Sequence, residues 1–129
     1  MQIVAKEPVL LTNYEVHAFL NESKKAKQDR PRSKGYKLEG LCTVEFECLD
    51  YLESSASKNQ TVEHISVFLT KLKPFALTRA EKVQIINTRP CNIVTLHVVI
   101  EECEERFNQE QLEQILEIIA ECLPPLEAA

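Results

Sequence analysis

Apolar side chains recur at intervals of three and four residues along most of this chain, a pattern typical of helices that bury one face. The first helix is expected to begin at Thr12, because its hydroxyl and the carboxylate of Glu15 have the spacing of a capping box. The apolar positions fade at Ser23, so this helix is predicted to be short. The segment before it, Gln2 to Thr12, is too irregular for a helix and is predicted to be an extended arm.

Beyond residue 40 the same spacing predicts five more short helices, and the fold class is therefore predicted to be all-α. Their predicted starts are Leu41, Thr61, Thr78, Asn92 and Asn108. Capping boxes are expected where Thr78 is followed by Glu81, and Asn108 by Gln111. The β-branched residues 93–100 could also form a strand, but their flanks and their continuation into charged residues favour a helix.

The spacing also predicts which positions face the core. The expected core positions are Leu41, Val44, Cys48 and Leu52 in the first of these helices, Val62, Ile65, Leu69 and Leu72 in the second, Ala80, Val83, Ile86 and Ile85 in the third, Ile93, Leu96, Ile100 and Cys103 in the fourth, and Ile115, Leu116, Ile119 and Leu123 in the fifth. Residues 24–40 have almost no large apolar side chains, and they are predicted to form a loop or a disordered linker. The predicted domains are an N-terminal element at 1–28, a basic linker at 29–40 and a helical bundle at 41–125.

Charge changes this picture more through its distribution than through its total. The net charge of −5 on 129 residues argues against a protein that binds nucleic acid over its whole surface. Between Lys24 and Lys37 there are seven basic residues and one Asp, whereas between Glu101 and Glu121 there are eight acids and one Arg. The five cysteines form no CxxC pair, and most are expected to be buried free thiols of a cytosolic or nuclear protein. The amino terminus lacks the charged-then-apolar layout of a secretory signal and no apolar run approaches membrane-spanning length, so neither a signal nor a membrane span is expected.

No group of residues has the spacing that catalysis or metal binding needs. His17, His64 and His97 lie on different predicted helices, so zinc ligands that converge from one short segment are not expected. Nucleophile motifs and phosphate-binding glycine loops are also missing from the sequence. The chain is therefore predicted to be neither an enzyme nor a cofactor-binding protein.

The N-terminal element carries more apolar surface than one separate helix can bury by itself. It could fold back onto its own core, or it could bind another chain by strand addition and helix docking, and the second outcome is favoured. The predicted partner interface consists of Ile3, Val4, Val9, Leu10, Leu11, Tyr14, Val16, Phe19 and Leu20.

Two charged runs are candidate binding segments, although a solvated surface explains each of them as well. The acidic run is a candidate docking surface for a basic partner, and it comprises Glu101, Glu102, Glu104 and Glu105. Within one helix, Glu101 would repel Glu104 and Glu105, whereas Glu102 would pair with Arg106. The basic run is a candidate phosphate contact or nuclear-import signal, and it comprises Lys24, Lys25, Lys27, Arg30, Arg32, Lys34 and Lys37.

Three motifs in order resemble the smaller stalk subunit of RNA polymerase III, a family also called the calcitonin gene-related peptide receptor component. They are LLTNYEVHAFL at 10–20, LTRAEKVQIINTRP at 77–90 and EECEERFNQEQLEQIL at 101–116. The resemblance covers nearly the whole chain and extends to the smaller stalk subunits of RNA polymerase II and archaeal polymerase. One departure is Thr95, where relatives tend to have an acid, so a weaker cap is expected at Asn92.

The resemblance implies a bundle of the HRDC type (helicase and RNase D C-terminal) and a separate N-terminal element that joins the larger, OB-fold-bearing stalk subunit. It implies a nuclear subunit without catalytic residues, one that supports transcription initiation through other core and initiation-specific subunits of polymerase III. Such a subunit would contact nucleic acid at most indirectly and would not insert into membranes.

Two alternatives stay open at this point. The first is an HRDC-type nucleic-acid-binding module that uses the basic run or a cationic face of the bundle. That face would consist of Lys71, Lys73, Arg79, Lys82 and Arg89. The second is a signalling adaptor that couples a peptide receptor to intracellular effectors, with a cytoplasmic fraction of the protein.

Overall fold

The computed structural model of the chain describes residues 9–29 and 39–125. All regular secondary structure in these ranges is helical, which confirms the predicted all-α class. The α-helices are α1 (Asn13–Asp29), α2 (Glu39–Glu53), α3 (Val62–Lys71), α4 (Arg79–Thr88), α5 (Ile93–Val99), α6 (Cys103–Arg106) and α7 (Gln109–Cys122). A short 3-10 helix, Ala56–Asn59, lies between α2 and α3.

The apolar core lies within the part of the chain from α3 to α7. Its fully buried side chains are Phe68, Leu72, Ile85, Ile86, Leu96, Ile100, Ile115, Ile119 and Leu123. Each aliphatic side chain of this size stabilises the fold by roughly 1.5–3 kcal/mol when it is removed from water. This cluster therefore supplies most of the stability of the bundle and holds its surface helices in fixed positions.

The helix starts predicted from three-residue spacings are confirmed. Reciprocal hydrogen bonds between side chain and backbone join Thr12 with Glu15, Thr78 with Glu81, and Asn108 with Gln111. At the start of α4, the amide of Glu81 donates to the hydroxyl of Thr78 at 3.2 Å, and the amide of Thr78 donates to the Glu81 carboxylate at 2.9 Å. Asn92 caps α5 by accepting from the amide of Thr95 at 2.9 Å. Each cap contributes about 1 kcal/mol.

The single helix predicted from Asn92 through Cys103 is wrong. The chain leaves helical geometry after Val99, and Glu102 has left-handed backbone angles of φ 50° and ψ 42° before α6 begins. Arg106 folds back at this break and donates to the carbonyl oxygen of Glu101 at 2.9 Å. In a continuous helix that carbonyl would accept from the amide four residues later, so this contact depends on the break.

The core positions predicted for α3 are partly wrong, because Val62 and Leu69 are exposed whereas Leu72 is buried.

The core positions predicted for α4 are also partly wrong. Ala80 is exposed and Val83 is half-buried, whereas Ile85 and Ile86 are buried as expected. The remaining buried position is Glu81, a carboxylate that spacing arguments assign to the surface. The buried face of α4 therefore differs from the predicted one. Glu81 takes a buried position on it, where a partner residue neutralises its charge.

The N-terminal helix is longer than its apolar pattern indicates. α1 continues to Asp29, so the loop prediction from Lys24 is wrong for residues 24–29. Lysine, alanine and glutamine in this stretch favour helix without needing an apolar face, and α1 itself contains no proline. α2 begins at Glu39, which also shortens the predicted loop. The division into three domains stays a prediction.

α1 packs along one side against α2 and the 3-10 helix of its own chain. The amide of Asn13 donates to the side-chain oxygen of Asn87 at the end of α4, at 2.7 Å. Farther along α1, His17 Nε2 lies 3.4 Å from a carboxylate oxygen of Glu53. One face of the N-terminal helix thus folds back on this chain, the outcome that the sequence analysis did not favour, and the opposite face faces solvent.

The five cysteines are free thiols, as expected, but most of them are not buried. Cys103 and Cys122 are buried, and burial raises the pKa of both thiols. Cys42, Cys48 and Cys91 are exposed. The expectation of burial is wrong for these three because Cys42 and Cys48 lie on faces of α2 that do not contact the rest of the chain, and Cys91 lies in a loop.

Candidate protein-interaction surfaces

Four of the residues predicted to bind a partner present large apolar side chains to solvent. Val9 is 72% exposed, Leu10 54% and Leu11 50%, in the segment that enters α1. Phe19, in the middle of α1, is 65% exposed. Burial of an exposed phenylalanine ring against a partner surface would be favourable by roughly 1.5–3 kcal/mol. Among the described residues, these four are the exposed part of the predicted interface.

The other predicted interface residues differ in position. Tyr14, Val16 and Leu20 are half-buried, so they help to pack α1 against its own chain. Ile3 and Val4 lie outside the described residues. The predicted set therefore combines side chains that hold α1 in place with side chains that α1 leaves exposed.

The structure reveals further exposed apolar side chains on α2 that the sequence analysis did not assign to an interface. Phe46 is 64% exposed, Tyr51 66% and Val44 58%. Val44 and Cys48 were predicted to face the core, and this prediction is wrong, whereas Leu52 from the same stripe is buried. A signal was available, because the apolar residues of α2 cover more of the helix than one contact face needs, with Thr43, Glu47 and Asp50 on the remaining polar side.

We refer to the exposed residues of these two helices and of the entry to α1 as the α1–α2 apolar set. Its members are Val9, Leu10, Leu11, Phe19, Val44, Phe46 and Tyr51.

Polar contacts connect the α1–α2 end of the molecule to the bundle. The side-chain amide of Gln60 donates to the carbonyl oxygen of Ile86 in α4 at 2.8 Å, and both residues are buried. Asn59 donates from its side chain to the carbonyl of Pro125, beyond α7, at 3.0 Å. The buried Gln60 bond helps to fix the end of the 3-10 helix, because breaking it leaves an unpaired polar group in the interior, whereas the Asn59 bond is exposed. The exposed residues of α1 and α2 are therefore presented from a defined base.

The four glutamates of the acidic run are all exposed. The predicted pairing of Glu102 with Arg106 is wrong, since Arg106 forms an ion pair with Glu81 on α4 instead. Glu101 does not lie in one helix with Glu104 and Glu105, as the predicted repulsion requires, because the break at Glu102 separates Glu101 from α6. Glu104 and Glu105 lie in the first turn of α6, where the helix dipole favours acidic groups.

An open groove of 410 Å³ lies beside this acidic run, lined by side chains from α5, α6 and the start of α7. Its lining includes the apolar residues Ile93, Phe107 and Leu112 and the polar residues His97 and Glu104. Of the four glutamates in the acidic run, Glu104 is therefore the one that lines the groove.

The basic run is only partly within the described residues. Lys24 and Lys25 are exposed near the end of α1, and Lys27 lies in the same helix. Arg30, Arg32, Lys34 and Lys37 lie outside the described residues. The role of this run in phosphate contact or nuclear import stays a prediction.

The alternative cationic face is less available than its charge suggests. Lys71 forms an ion pair with Glu121 at 2.7 Å, and the hydrogen bond to that carboxylate raises the pKa of the lysine. Arg89 donates from Nε to the carbonyl oxygen of Leu123 at 3.1 Å. Two of its five cations therefore already have partners within the chain.

In the described part of the chain, no group of three or more His, Cys, Asp or Glu side chains is placed to hold a metal ion. His17 contacts Glu53 on α2, whereas His64 and His97 lie on α3 and α5. Within the described ranges no helix has the length and apolar character of a membrane span.

Comparisons with a family model and with individual known proteins identify the same family. A sequence model of the family RNA polymerase Rpb4 matches residues 10–123. The DNA-directed RNA polymerase III subunit rpc9 of Schizosaccharomyces pombe is 32% identical, over 96% of this chain and 100% of its own length. Subunit RPC9 of Saccharomyces cerevisiae is 30% identical, over 93% of this chain and 98% of its own length. The rpc9 subunit of Dictyostelium discoideum is 28% identical, over 87% and 85% respectively.

These matches confirm the resemblance found in the three sequence motifs. They also confirm the prediction that the chain is an accessory subunit and not itself an enzyme. With 10–123 matched, the chain belongs to the RNA polymerase Rpb4 family.

Proposed function

We propose that this chain is the smaller stalk subunit of RNA polymerase III and acts in the nucleus. It forms a heterodimer with the larger, OB-fold-containing stalk subunit and supports transcription initiation through other core and initiation-specific subunits. The near-full-length similarity to polymerase III subunits of three organisms supports the assignment to this polymerase. In this proposal α3–α7 form an HRDC-like platform, and the chain contributes shape and contacts rather than chemistry.

The observation that carries the heterodimer is the α1–α2 apolar set. A monomeric protein rarely leaves a group of large apolar side chains on neighbouring elements in water, because each would lower the free energy by moving into an interface. Phe19 and Phe46, on the two helices, each expose nearly two thirds of their surface. Aromatic side chains of this kind are typical of the energetically dominant residues in protein interfaces.

The location of this set also supports the proposal. α1 and α2 contact each other and the 3-10 helix, and among the side chains described in these two helices one apolar residue, Leu52, is buried. Their contacts with the rest of the chain are partly polar, through Asn13 and Gln60. A partner that covers the apolar set would supply the burial that these helices lack on their own.

Co-expression with the larger stalk subunit tests the heterodimer. We expect the full chain to co-purify in a stoichiometric complex, and we expect removal of residues 1–20 to abolish the complex. Denaturant unfolding of the truncated chain tests whether the α3–α7 core still folds. If it does, loss of the complex is caused by loss of the interface and not by loss of the fold. A stable, stoichiometric complex without residues 1–20 would place the interface elsewhere.

A further inference from the structure

We propose that the groove between α5 and the start of α7 binds a basic peptide segment of a partner protein. An apolar side chain of that segment enters the groove, and a neighbouring lysine or arginine contacts Glu104. The proposed site is separate from the α1–α2 apolar set and does not rest on the assignment to the stalk heterodimer. We call it the α5–α7 groove, with Ile93, His97, Glu104, Phe107 and Leu112 as the residues that carry the argument.

The interior of the groove is suited to an aliphatic or aromatic side chain. Phe107 and Leu112 are buried, and Ile93 is half-buried at the groove wall. Phe107 is held from the side of α6 by Arg106, whose guanidinium carbon lies 5.4 Å from the centre of the ring. The volume of 410 Å³ is in the range of sites that hold small ligands, about 300–1,000 Å³, so the groove has room for one side chain of a bound peptide.

The apolar surface continues beyond the groove along α5. Val94 is 73% exposed and Val98 is 82% exposed. They are separated by one helical turn and follow Ile93 and His97 directly in sequence, so they form the solvent side of the helix that borders the groove. A peptide with one side chain in the groove would lay its neighbouring residues over these two valines.

Charge identifies the chemistry of the partner. Between Glu101 and Glu113 the chain has six glutamates and one basic residue, Arg106. That arginine is committed to Glu81, so it does not neutralise the groove. The Glu104 carboxylate has no ion pair or hydrogen bond within the described ranges of the chain. A cationic segment is therefore attracted, whereas the phosphates of a nucleic acid are repelled.

Titration of the isotope-labelled full chain with short synthetic peptides, followed by NMR, tests the proposal. The probe peptide has one leucine flanked by lysines, and two comparison peptides replace the lysines by glutamate or the leucine by serine. We expect the lysine–leucine peptide to shift the amide signals of Ile93, Phe107 and Leu112. We expect weaker binding of both comparison peptides.

Charge reversal provides the matched control. Glu104→Lys is expected to weaken binding of the lysine–leucine peptide by about fivefold, the effect of losing one exposed ion pair. It is also expected to strengthen binding of the glutamate–leucine peptide. Glu47→Lys, an equal change of charge at an exposed position on α2, should leave both affinities unchanged. Absence of shifts in the groove, equal binding of acidic and basic peptides, or equal effects of the two reversals would overturn the proposal.

Discussion

Arg106 and Glu81 are 25 residues apart in sequence and form a two-point ion pair. Nη1 of the arginine lies 2.5 Å from Oε1 of the glutamate, and Nη2 lies 3.0 Å from Oε2. The same guanidinium donates to the carbonyl oxygens of Ala76, at 2.6 Å, and Glu101, at 2.9 Å. Because Glu81 also caps α4, one arginine connects α6, the start of α4 and the loops on either side.

Loss of Arg106 is expected to destabilise the fold more than neutralisation of Glu81. The Glu81 side chain is 7% exposed, so Arg106→Ala leaves a buried charge unpaired and should lower the free energy of unfolding by about 3 kcal/mol. Glu81→Gln leaves Arg106, whose side chain is 26% exposed and can reach water, and should cost about 1 kcal/mol. Urea unfolding followed by circular dichroism measures both changes.

Arg79→Ala is the matched control for these variants, because Arg79 is exposed on the same helix. Its effect should stay within about 0.5 kcal/mol. If Arg79→Ala and Arg106→Ala lower stability equally, the ion pair does not have the role given to it here.

The ion pair also predicts a dependence of stability on pH. The hydrogen bond from Arg106 is the main cause that lowers the pKa of Glu81 below its ordinary value of 4.5. A carboxyl whose folded-state pKa is depressed contributes stability above its unfolded pKa, and that contribution is lost as pH falls through the folded pKa. The stability difference between the wild type and Glu81→Gln should therefore be constant near neutral pH and shrink below about pH 4.5. A difference that keeps its full size at about pH 3 would contradict the assignment.

The break between α5 and α6 predicts a stabilising substitution. Glu102 is exposed and adopts φ 50°, a conformation that costs a residue with a Cβ roughly 1 kcal/mol. Glu102→Gly removes this cost but increases the entropy of the unfolded chain, so a net gain of about 0.5 kcal/mol is expected. Thermal unfolding measures it.

Arg89 provides the contrast, because it also has positive φ, at 45°, but its Nε donates to the carbonyl of Leu123. Arg89→Gly loses this bond between the ends of α4 and α7, and we expect no net gain from it. Equal gains from the two glycine variants would show that the Arg89 hydrogen bond contributes nothing to stability.

The residues that the sequence analysis missed on α2 give a test of the interface. Phe46→Asp is expected to weaken the complex with the larger stalk subunit by at least about 2 kcal/mol, as loss of a central aromatic contact does. It should change the stability of the free chain little, since Phe46 is 64% exposed. Val67→Asp, at a 49% exposed position on α3, is the control and should leave the complex intact. Calorimetry measures the affinity of both variants for the larger stalk subunit. Equal affinities of Phe46→Asp and Val67→Asp would contradict the proposed interface.

Helix starts were predictable because a cap is a local interaction. The pairs Thr78 with Glu81 and Asn108 with Gln111 each lie within four residues, so their spacing in the sequence is enough to identify them. The resemblance to the polymerase family was predictable for a similar reason, because its motifs are short continuous segments.

Contacts between distant residues were not predictable in this way. The break at Glu102 is accompanied by contacts of Arg106 with Glu81 and Glu101, of which the first spans 25 residues and leaves no local pattern. The broad apolar surface of α2 indicates more than one contact, but the exposure of Phe46 in particular depends on which side of α2 contacts α1. Periodicity shows that a helix has an apolar face, but it does not show which neighbour covers that face.

A polymerase III subunit joined to the larger stalk subunit should be recovered from cells together with that polymerase. Native purification of the tagged full chain from nuclear extract, with mass spectrometry of the chains that co-purify, tests it most directly. We expect recovery of the polymerase III core and the larger stalk subunit in equal amounts with the tagged chain. Recovery of the chain alone, or with the subunits of a different polymerase, would contradict it.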